Sequence, residues 1–219
     1  MYQSFYGSAY RKAKQPEDLP WHREEMPEWL SHAVVKRTKP GRFLDLGCGT
    51  GVFSVQMAQK GYDVTAVDFT QEALRMSEDR ARSAGVKINF VQADVLTWEG
   101  AGIFDLVLDS GCFHSLKPAD RPRYKDQLLK WLAPGAEYVL IHFGRRHFLD
   151  WRPMGPRRRK RQEILAELAP QLIEREYKEH IEKAPLPIGP TFLICEYWFQ
   201  NGIRVIYGGG TISARLELA

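Results

Sequence analysis

The 219-residue sequence contains no run of about 18 apolar residues, so no segment is expected to cross a bilayer as a helix. Its first residues, MYQSFYGSAYRKAKQPEDLPW, lack the continuous apolar stretch of a secretory leader, and no targeting segment is expected there. Cysteine is scarce. Cys48, Cys112 and Cys195 are odd in number and never spaced C-x-x-C, which argues against a disulfide framework or a zinc site. Reduced thiols in a cytoplasmic protein, with no metal, are the expectation. Strong charge of one sign is also missing: 31 Lys and Arg against 27 Asp and Glu leave a net charge of +4, thin for an obligate nucleic-acid binder. No internal repeat is evident. What is there is ordinary for a globular chain, 44% apolar and 26% charged residues, in a length that fits one domain with one active site.

Residues 1–30 read as an aromatic, proline-punctuated arm, irregular or partly helical, that precedes a domain over 31–219. A helical stretch from Pro27, PEWLSHAVVKR, leads to the turn Lys39-Pro40-Gly41. A regular alternation then begins: strand 42–46, helix 52–60 stopping at Gly61, strand 63–67, helix 72–84 after Thr70 as N-cap, and strand 87–92. Strand 104–108, helix 121–132, a Pro134-Gly135 turn and strand 137–143 continue it. Strands alternating with helices predict a doubly wound α/β fold, a mostly parallel sheet with helices on both faces. Beyond residue 150 the pattern changes to a basic stretch, a helix over about 159–169, and two strand-like segments, 172–181 and 191–200, that read as an antiparallel pair at the sheet edge. The tail from Asn201, with Gly208 to Gly210, reads as a short strand and a loose end.

Three glycines follow the first strand in Leu44-Asp45-Leu46-Gly47-Cys48-Gly49-Thr50-Gly51, where they allow a tight turn and close approach of backbone to a ligand. Asp68 ends the next strand, where a carboxylate can accept the two ribose hydroxyls of an adenosine. Two cofactor classes compete for this geometry. A dinucleotide site calls for G-x-G-x-x-G and a helix N-terminus that takes pyrophosphate. Here the third position of that pattern is Val52, and Asp45, two residues before the first glycine, repels a pyrophosphate but attracts a cation. A phosphate-free cofactor with an ammonium and a sulfonium fits better. Cys48 reads as a small packing residue.

The succession FLDLGCGTG, VDF, ADV and FDLVLDSG resembles the class I S-adenosylmethionine-dependent methyltransferases over about residues 40–143. The resemblance implies a seven-stranded sheet in the order 3-2-1-4-5-7-6 with the last strand antiparallel. It implies that Asp45, Gly47 and Gly49 line the methionine end of S-adenosylmethionine, that Asp68 binds the ribose, that Phe69 lies beside the adenine, and that Asp94 and Val95 contact its amine and ring. Asp109, Ser110 and Gly111 border the methionine moiety and the methyl acceptor.

The segment Asp109-Ser-Gly-Cys-Phe-His114 lacks the Asn/Asp-Pro-Pro-Tyr/Phe motif of enzymes that methylate adenine, cytosine or glutamine amides. Followed by Arg121-Pro-Arg-Tyr124 and a Leu-x-Pro-Gly turn, it is similar to the small-molecule branch that includes thiopurine and other thiol or heterocycle methyltransferases. In that branch the N-terminal segment, here Pro20-Trp21, folds over the cofactor. Trp21 therefore joins the cofactor-binding candidates, and His114 and Asp109 are the candidate catalytic residues. His142 reads as a satisfied core histidine. Aromatic residues gather at both chain ends (Tyr2, Phe5, Tyr6, Tyr10, Trp21 and Trp29; Phe192, Tyr197, Trp198, Phe199 and Tyr207), in keeping with a flat apolar acceptor or with plain packing. The expected reaction is methyl transfer by in-line displacement to a thiol or other heteroatom of a small aromatic or heterocyclic compound, by a monomer or homodimer. The alternatives are an RNA or protein methyltransferase docking through the basic 157–161 segment, and a regulatory protein that binds the cofactor without turnover.

Overall fold

The computed structural model describes residues 2–100, 102–145, 157–183, 191–207 and 214–218. Gly208 to Gly210 and most of the basic stretch before Arg157 lie outside them.

β1 (Arg42–Leu46), β2 (Asp63–Asp68), β3 (Asn89–Gln92), β4 (Phe104–Ser110), β5 (Leu132–Gly144), β6 (Leu172–Lys183) and β7 (Thr191–Asn201) form one sheet in the order β3-β2-β1-β4-β5-β7-β6. The first five strands are parallel to one another, and β7 runs antiparallel to both β5 and β6. Both the order and the reversed strand agree with the expectation. The tail differs: β8 (Ile203–Tyr207) pairs with β9 (Ala214–Leu218) as a separate antiparallel hairpin, where one strand was expected.

The strands β1, β2 and β4 are buried at nearly every position because both sheet faces are covered. On one face Leu44, Leu46, Val107, Tyr138, Leu140 and Tyr197 pack against Tyr124, Leu128 and Trp131 of α5 (Arg121–Trp131) and Ile164 and Leu168 of α6 (Arg161–Leu168). On the other, Phe43, Val64, Leu106, Leu108 and Val139 meet Leu30 and Ala33 of α2 (Glu28–Lys36) and Met57 of α3 (Val52–Gln59). Strand β5 starts earlier than its pattern suggests. Leu132 already pairs with Phe104, and the register then shifts before Leu106 meets Glu137, so Pro134 and Gly135 (φ +73°) form an irregularity inside the strand.

The chain runs outward from β1 to β3, then returns to place β4 on the other side of β1. This creates the topological switch point at the carboxyl ends of β1 and β4, where ligands of such sheets bind. A second register feature shapes the same edge. β4 ends with Ser110 opposite Ile141, while β5 continues through His142, Phe143 and Gly144, paired with Cys195, Ile194 and Leu193 of β7 on one side and, on the other, held only by the isolated parallel bridge of Gly144 to Arg159. The β5–β7 pair thus overhangs the crevice.

The arm is helical over α1 (Tyr2–Lys12), followed by a single 3-10 turn at Pro16–Asp18. Tyr10 and Leu19 bury against Ala73 of α4 (Gln71–Ser83), with Tyr6, Trp21 and Met76 around them.

Gly51, the N-cap of α3, has φ +72°, and a Cβ there would lie 2.8 Å from the Ser77 side chain of α4. Left-handed backbone and a backing helix together admit glycine alone. Gly51→Ala is expected to destabilise the protein by about 1–3 kcal/mol, read from urea unfolding; unchanged stability would show that the loop can adopt another path.

Candidate functional site

Three acids end up side by side because three neighbouring strands each carry one near the carboxyl end. Asp45 is on β1, Asp68 closes β2, and Asp109 is on β4. All three are buried, at 2%, 5% and 0% exposure, and among the described residues none pairs with a basic side chain.

Their partners are neutral. Asp45 accepts a 2.6 Å hydrogen bond from the Ser54 hydroxyl on α3. Asp68 accepts from the backbone N–H of Gly49 at 3.1 Å and of Thr70 at 2.8 Å. Thr70 is the N-cap of α4, as expected, but its hydroxyl makes no cap bond, and its own backbone N–H donates to Asp68. Asp109 accepts from the N–H groups of Cys112 (2.8 Å) and Phe113 (3.0 Å) and from the Tyr124 hydroxyl (2.5 Å), and so ties down the loop that follows β4.

Burial pushes the Asp45 pKa up to about 7, with the Ser54 bond opposing and the charges of Asp68 and Asp109 adding to the rise. Burial also raises Asp109 to about 6, against the hydrogen bonds it accepts, and it raises Asp68. An electronegative crevice without a cation of its own is chemically suited to a cationic guest.

The glycine loop is fixed from behind. Gly47 and Cys48 donate to the Val67 carbonyl, and the Ser77 hydroxyl donates to Gly49. Gly49, at φ +57°, faces the arm, and a Cβ there would lie 2.7 Å from the Tyr10 hydroxyl. Trp21 donates its indole N–H to that hydroxyl at 3.2 Å, and its ring lies 5.1 Å from Tyr6, whose own ring is 6.5 Å from Phe69. Asp94, after β3, accepts from Leu96 N–H, and Val95 is buried beside the crevice. Trp21, Asp45, Gly47, Gly49, Asp68, Phe69, Asp94, Val95, Asp109, Ser110 and Gly111 therefore all lie along one sheet edge or in the arm across it.

The arm is latched at residues that gave no signal in the sequence. The Tyr6 hydroxyl bonds Ser115 in the β4 loop at 2.9 Å, His22 Nδ1 meets the Thr50 hydroxyl at 3.3 Å, and Arg23 pairs with Glu182 of β6. Each bond joins residues far apart in sequence, so no local pattern marks it.

His114 sits in a 3-10 turn (Phe113–Ser115) with its imidazole over Gly111, where a Cβ would come within 3.3 Å of the ring. It is buried, its Nδ1 has no hydrogen-bond partner among the described residues, and burial holds its pKa well below 6.5. His142 is not the satisfied core histidine expected from its place in a strand. At 1% exposure neither ring nitrogen has a hydrogen-bond partner among the described residues. Burial lowers its pKa to about 4, opposed by the backbone of Phe143, which does not meet hydrogen-bond geometry with the ring.

The segment 157–161 is folded onto this region. Arg157 donates its backbone N–H to the His114 carbonyl, Arg158 stacks on Phe192, Arg159 pairs with Glu163 and Glu167, and Arg161 pairs with Glu174. At least two of its five charges are thus internally matched.

Residues 43–135 match a family model described as a methyltransferase domain. The chain is 30% identical over 150 residues to a probable thiol methyltransferase 2 of Arabidopsis thaliana, covering 67% of this chain and 65% of that protein. It is 27% identical over 152 residues to a 2-heptyl-1-hydroxyquinolin-4(1H)-one methyltransferase of Mycobacteroides abscessus, covering 67% and 66%. The chain thus spans just under two thirds of the length of these curated relatives. Its fold is similar to that of the N-methyltransferase NodS of Bradyrhizobium japonicum, solved with S-adenosyl-L-homocysteine, with a TM-score of 0.72, 21% identity and coverage of 91% of this chain and 97% of that one.

The raised pKa of Asp45 has a signed consequence. An acid that keeps its proton longer folded than unfolded makes stability fall as pH rises, here between about pH 4 and 7. Buried His114 and His142 act oppositely, their contribution being lost as pH falls below about 6.5, so the whole-protein profile mixes the two. The difference between Asp45→Asn and the parent isolates Asp45. Asp45→Asn is expected to be the more stable by about 1–3 kcal/mol at pH 8 in ligand-free protein, with the gain shrinking toward pH 4. A pH-independent difference would remove Asp45 ionisation from the account; urea unfolding at pH 5 and pH 8 decides.

Proposed function

We propose that this chain, whose residues 43–135 carry a methyltransferase domain, is an S-adenosylmethionine-dependent methyltransferase acting on a thiol or other heteroatom of a small aromatic or heterocyclic compound. The observation that carries the reading is the trio of buried carboxylates around a glycine loop with no basic side chain among them. A pyrophosphate would face three acids there, whereas an ammonium and a sulfonium bring opposite charge to them. The names of the relatives, a thiol methyltransferase and a hydroxyquinolone methyltransferase, support a small-molecule acceptor.

S-adenosylmethionine supplies an electrophilic methyl group, which the acceptor's lone pair takes as the sulfonium becomes a neutral thioether. The protein's part is alignment and exclusion of water. In this reading Asp68, already fixed by the Gly49 and Thr70 N–H groups, presents its remaining lone pairs to the ribose hydroxyls. Phe69, Asp94 and Val95 flank the adenine, and Gly47, Gly49 and Asp45 line the amino-acid end. Asp109 has both oxygens engaged and none exposed, so it positions the loop of Ser110 and Gly111 and supplies fixed charge. Trp21, held by Tyr10, closes the arm over the site. His114, kept uncharged at neutral pH by burial, does not repel the sulfonium and offers a ring nitrogen to the acceptor.

Titration calorimetry tests this reading. S-adenosyl-L-homocysteine is expected to bind, NAD is not, and Asp68→Ala is expected to weaken binding by about 1–3 kcal/mol through loss of a charged acceptor. S-adenosylmethionine, a cation arriving beside a half-protonated Asp45, is expected to release protons near pH 7, seen as a dependence of the apparent enthalpy on buffer. Binding of NAD in place of either sulfur compound would overturn the assignment. His114→Ala is expected to lower kcat while leaving cofactor affinity unchanged; an intact kcat would remove it from the acceptor side.

A further inference from the structure

The β5–β7 overhang carries a polar cluster that the cofactor site does not use. His142 and His114 lie with ring centroids 5.8 Å apart at 76°. Between them they leave three buried ring nitrogens without a hydrogen-bond partner among the described residues, Nδ1 of His114 and both nitrogens of His142. A strand histidine that makes no hydrogen bond is a standing destabilisation, and such groups persist where another partner is required of them. A phenylalanine would fill much the same space beside Phe113, 6.0 Å away, without that cost.

The surroundings say what the partner is. His114 rests on Gly111 at the mouth of β4, so the pair lies next to the loop that borders the reacting end of the crevice. Phe143 packs edge-on against His114 at 4.7 Å and against Phe192 at 5.2 Å, giving the cluster an aromatic wall. Its covers are the arm, through the Tyr6 bond to Ser115, and the segment at Arg157 bonded to the His114 carbonyl. A guest between these covers meets flat apolar faces on its sides and imidazole nitrogens at one edge. A neutral imidazole offers one donor and one acceptor, so two of them match a ring that carries a nitrogen beside its nucleophilic atom. A ring with only carbon there would leave those nitrogens unpaired, which is the situation that gives large discrimination between close analogues.

We propose that His142, together with His114, forms the hydrogen-bonding edge of the acceptor pocket and selects heteroaromatic acceptors with a ring nitrogen adjacent to the methylated atom over their carbocyclic counterparts. The inference rests on the methyltransferase reading above and adds the specificity role of His142.

The test compares 2-mercaptopyridine with thiophenol, two thiols of nearly equal size that differ by that ring nitrogen. Each is titrated into the full chain saturated with S-adenosyl-L-homocysteine, in the parent, His142→Phe and His142→Gln. The expected result is that the parent binds 2-mercaptopyridine at least about tenfold more tightly than thiophenol. His142→Phe is expected to abolish the difference by weakening 2-mercaptopyridine alone, and His142→Gln, which keeps a donor and an acceptor, to restore part of it. His142→Phe is also expected to raise Tm in the absence of acceptor, since it removes an unpaired buried polar group. A merely structural histidine would lower Tm on replacement and leave the ratio of the two thiols unchanged. That outcome overturns the proposal, as does equal binding of the two thiols by the parent or binding of neither. Failure of S-adenosyl-L-homocysteine itself to bind would instead overturn the underlying methyltransferase reading.

Discussion

Burying three carboxylates at the ends of three adjacent strands without a cation is the constraint around which the rest of the molecule is arranged. Unpaired charge of this kind is costly in a protein interior. The chain meets the cost with neutral donors on every side: Ser54 from α3, Tyr124 from α5, and the backbone of the glycine loop and the β4 loop. Each donor also fixes the element that carries it. The acids therefore organise the loops as well as charging the crevice, and the price is a free protein with protons held near neutrality on Asp45 and Asp109. A cationic guest relieves what the protein alone only moderates.

The arm follows from the same arrangement. Its helix packs on α4 through Tyr10 and Leu19, and its polar contacts reach the glycine loop at Thr50, the β4 loop at Ser115 and strand β6 at Glu182. These three sites surround the crevice, so the arm is bonded to both loops that the acids hold. Glycine at position 49 is needed twice over, for its left-handed backbone and because the Tyr10 hydroxyl occupies the space a side chain would take.

Much of this was legible in the sequence where the signal is local. Alternating strands and helices placed β1 to β5, and the order of FLDLGCGTG, VDF, ADV and FDLVLDSG pointed to residues that the structure gathers along one edge. The failures are non-local. Strand β5 begins at Leu132 because Phe104 pairs with it across the sheet, although Pro134 and Gly135 read locally as a turn. The second strand of the terminal hairpin has its partner in β8, and neither pattern alone marks the pairing. Thr70 takes the N-cap place that the sequence indicates, yet its hydroxyl makes no cap bond and its own backbone N–H is held by Asp68, two residues before it.

His142 shows why a residue's role can hide behind its secondary structure. Period-two alternation correctly puts its side chain on the buried face with Tyr138 and Leu140, and for a strand paired on both sides burial among apolar neighbours would be the whole account. What changes the account is strand length. β4 stops opposite Ile141, so the next residue of β5 has a neighbour strand on one side only, and just beyond it the other side is met by the single bridge from Arg159. Under the proposed role of His142, a difference of three residues between the ends of adjacent strands converts a core position into a wall of the site. The reversed strand β7 makes this possible, since it supplies hydrogen bonds to the overhanging Phe143 and Gly144 that β4 cannot. In the proposed reading the antiparallel edge of the sheet builds the acceptor pocket, while the parallel part builds the site for a cationic cofactor.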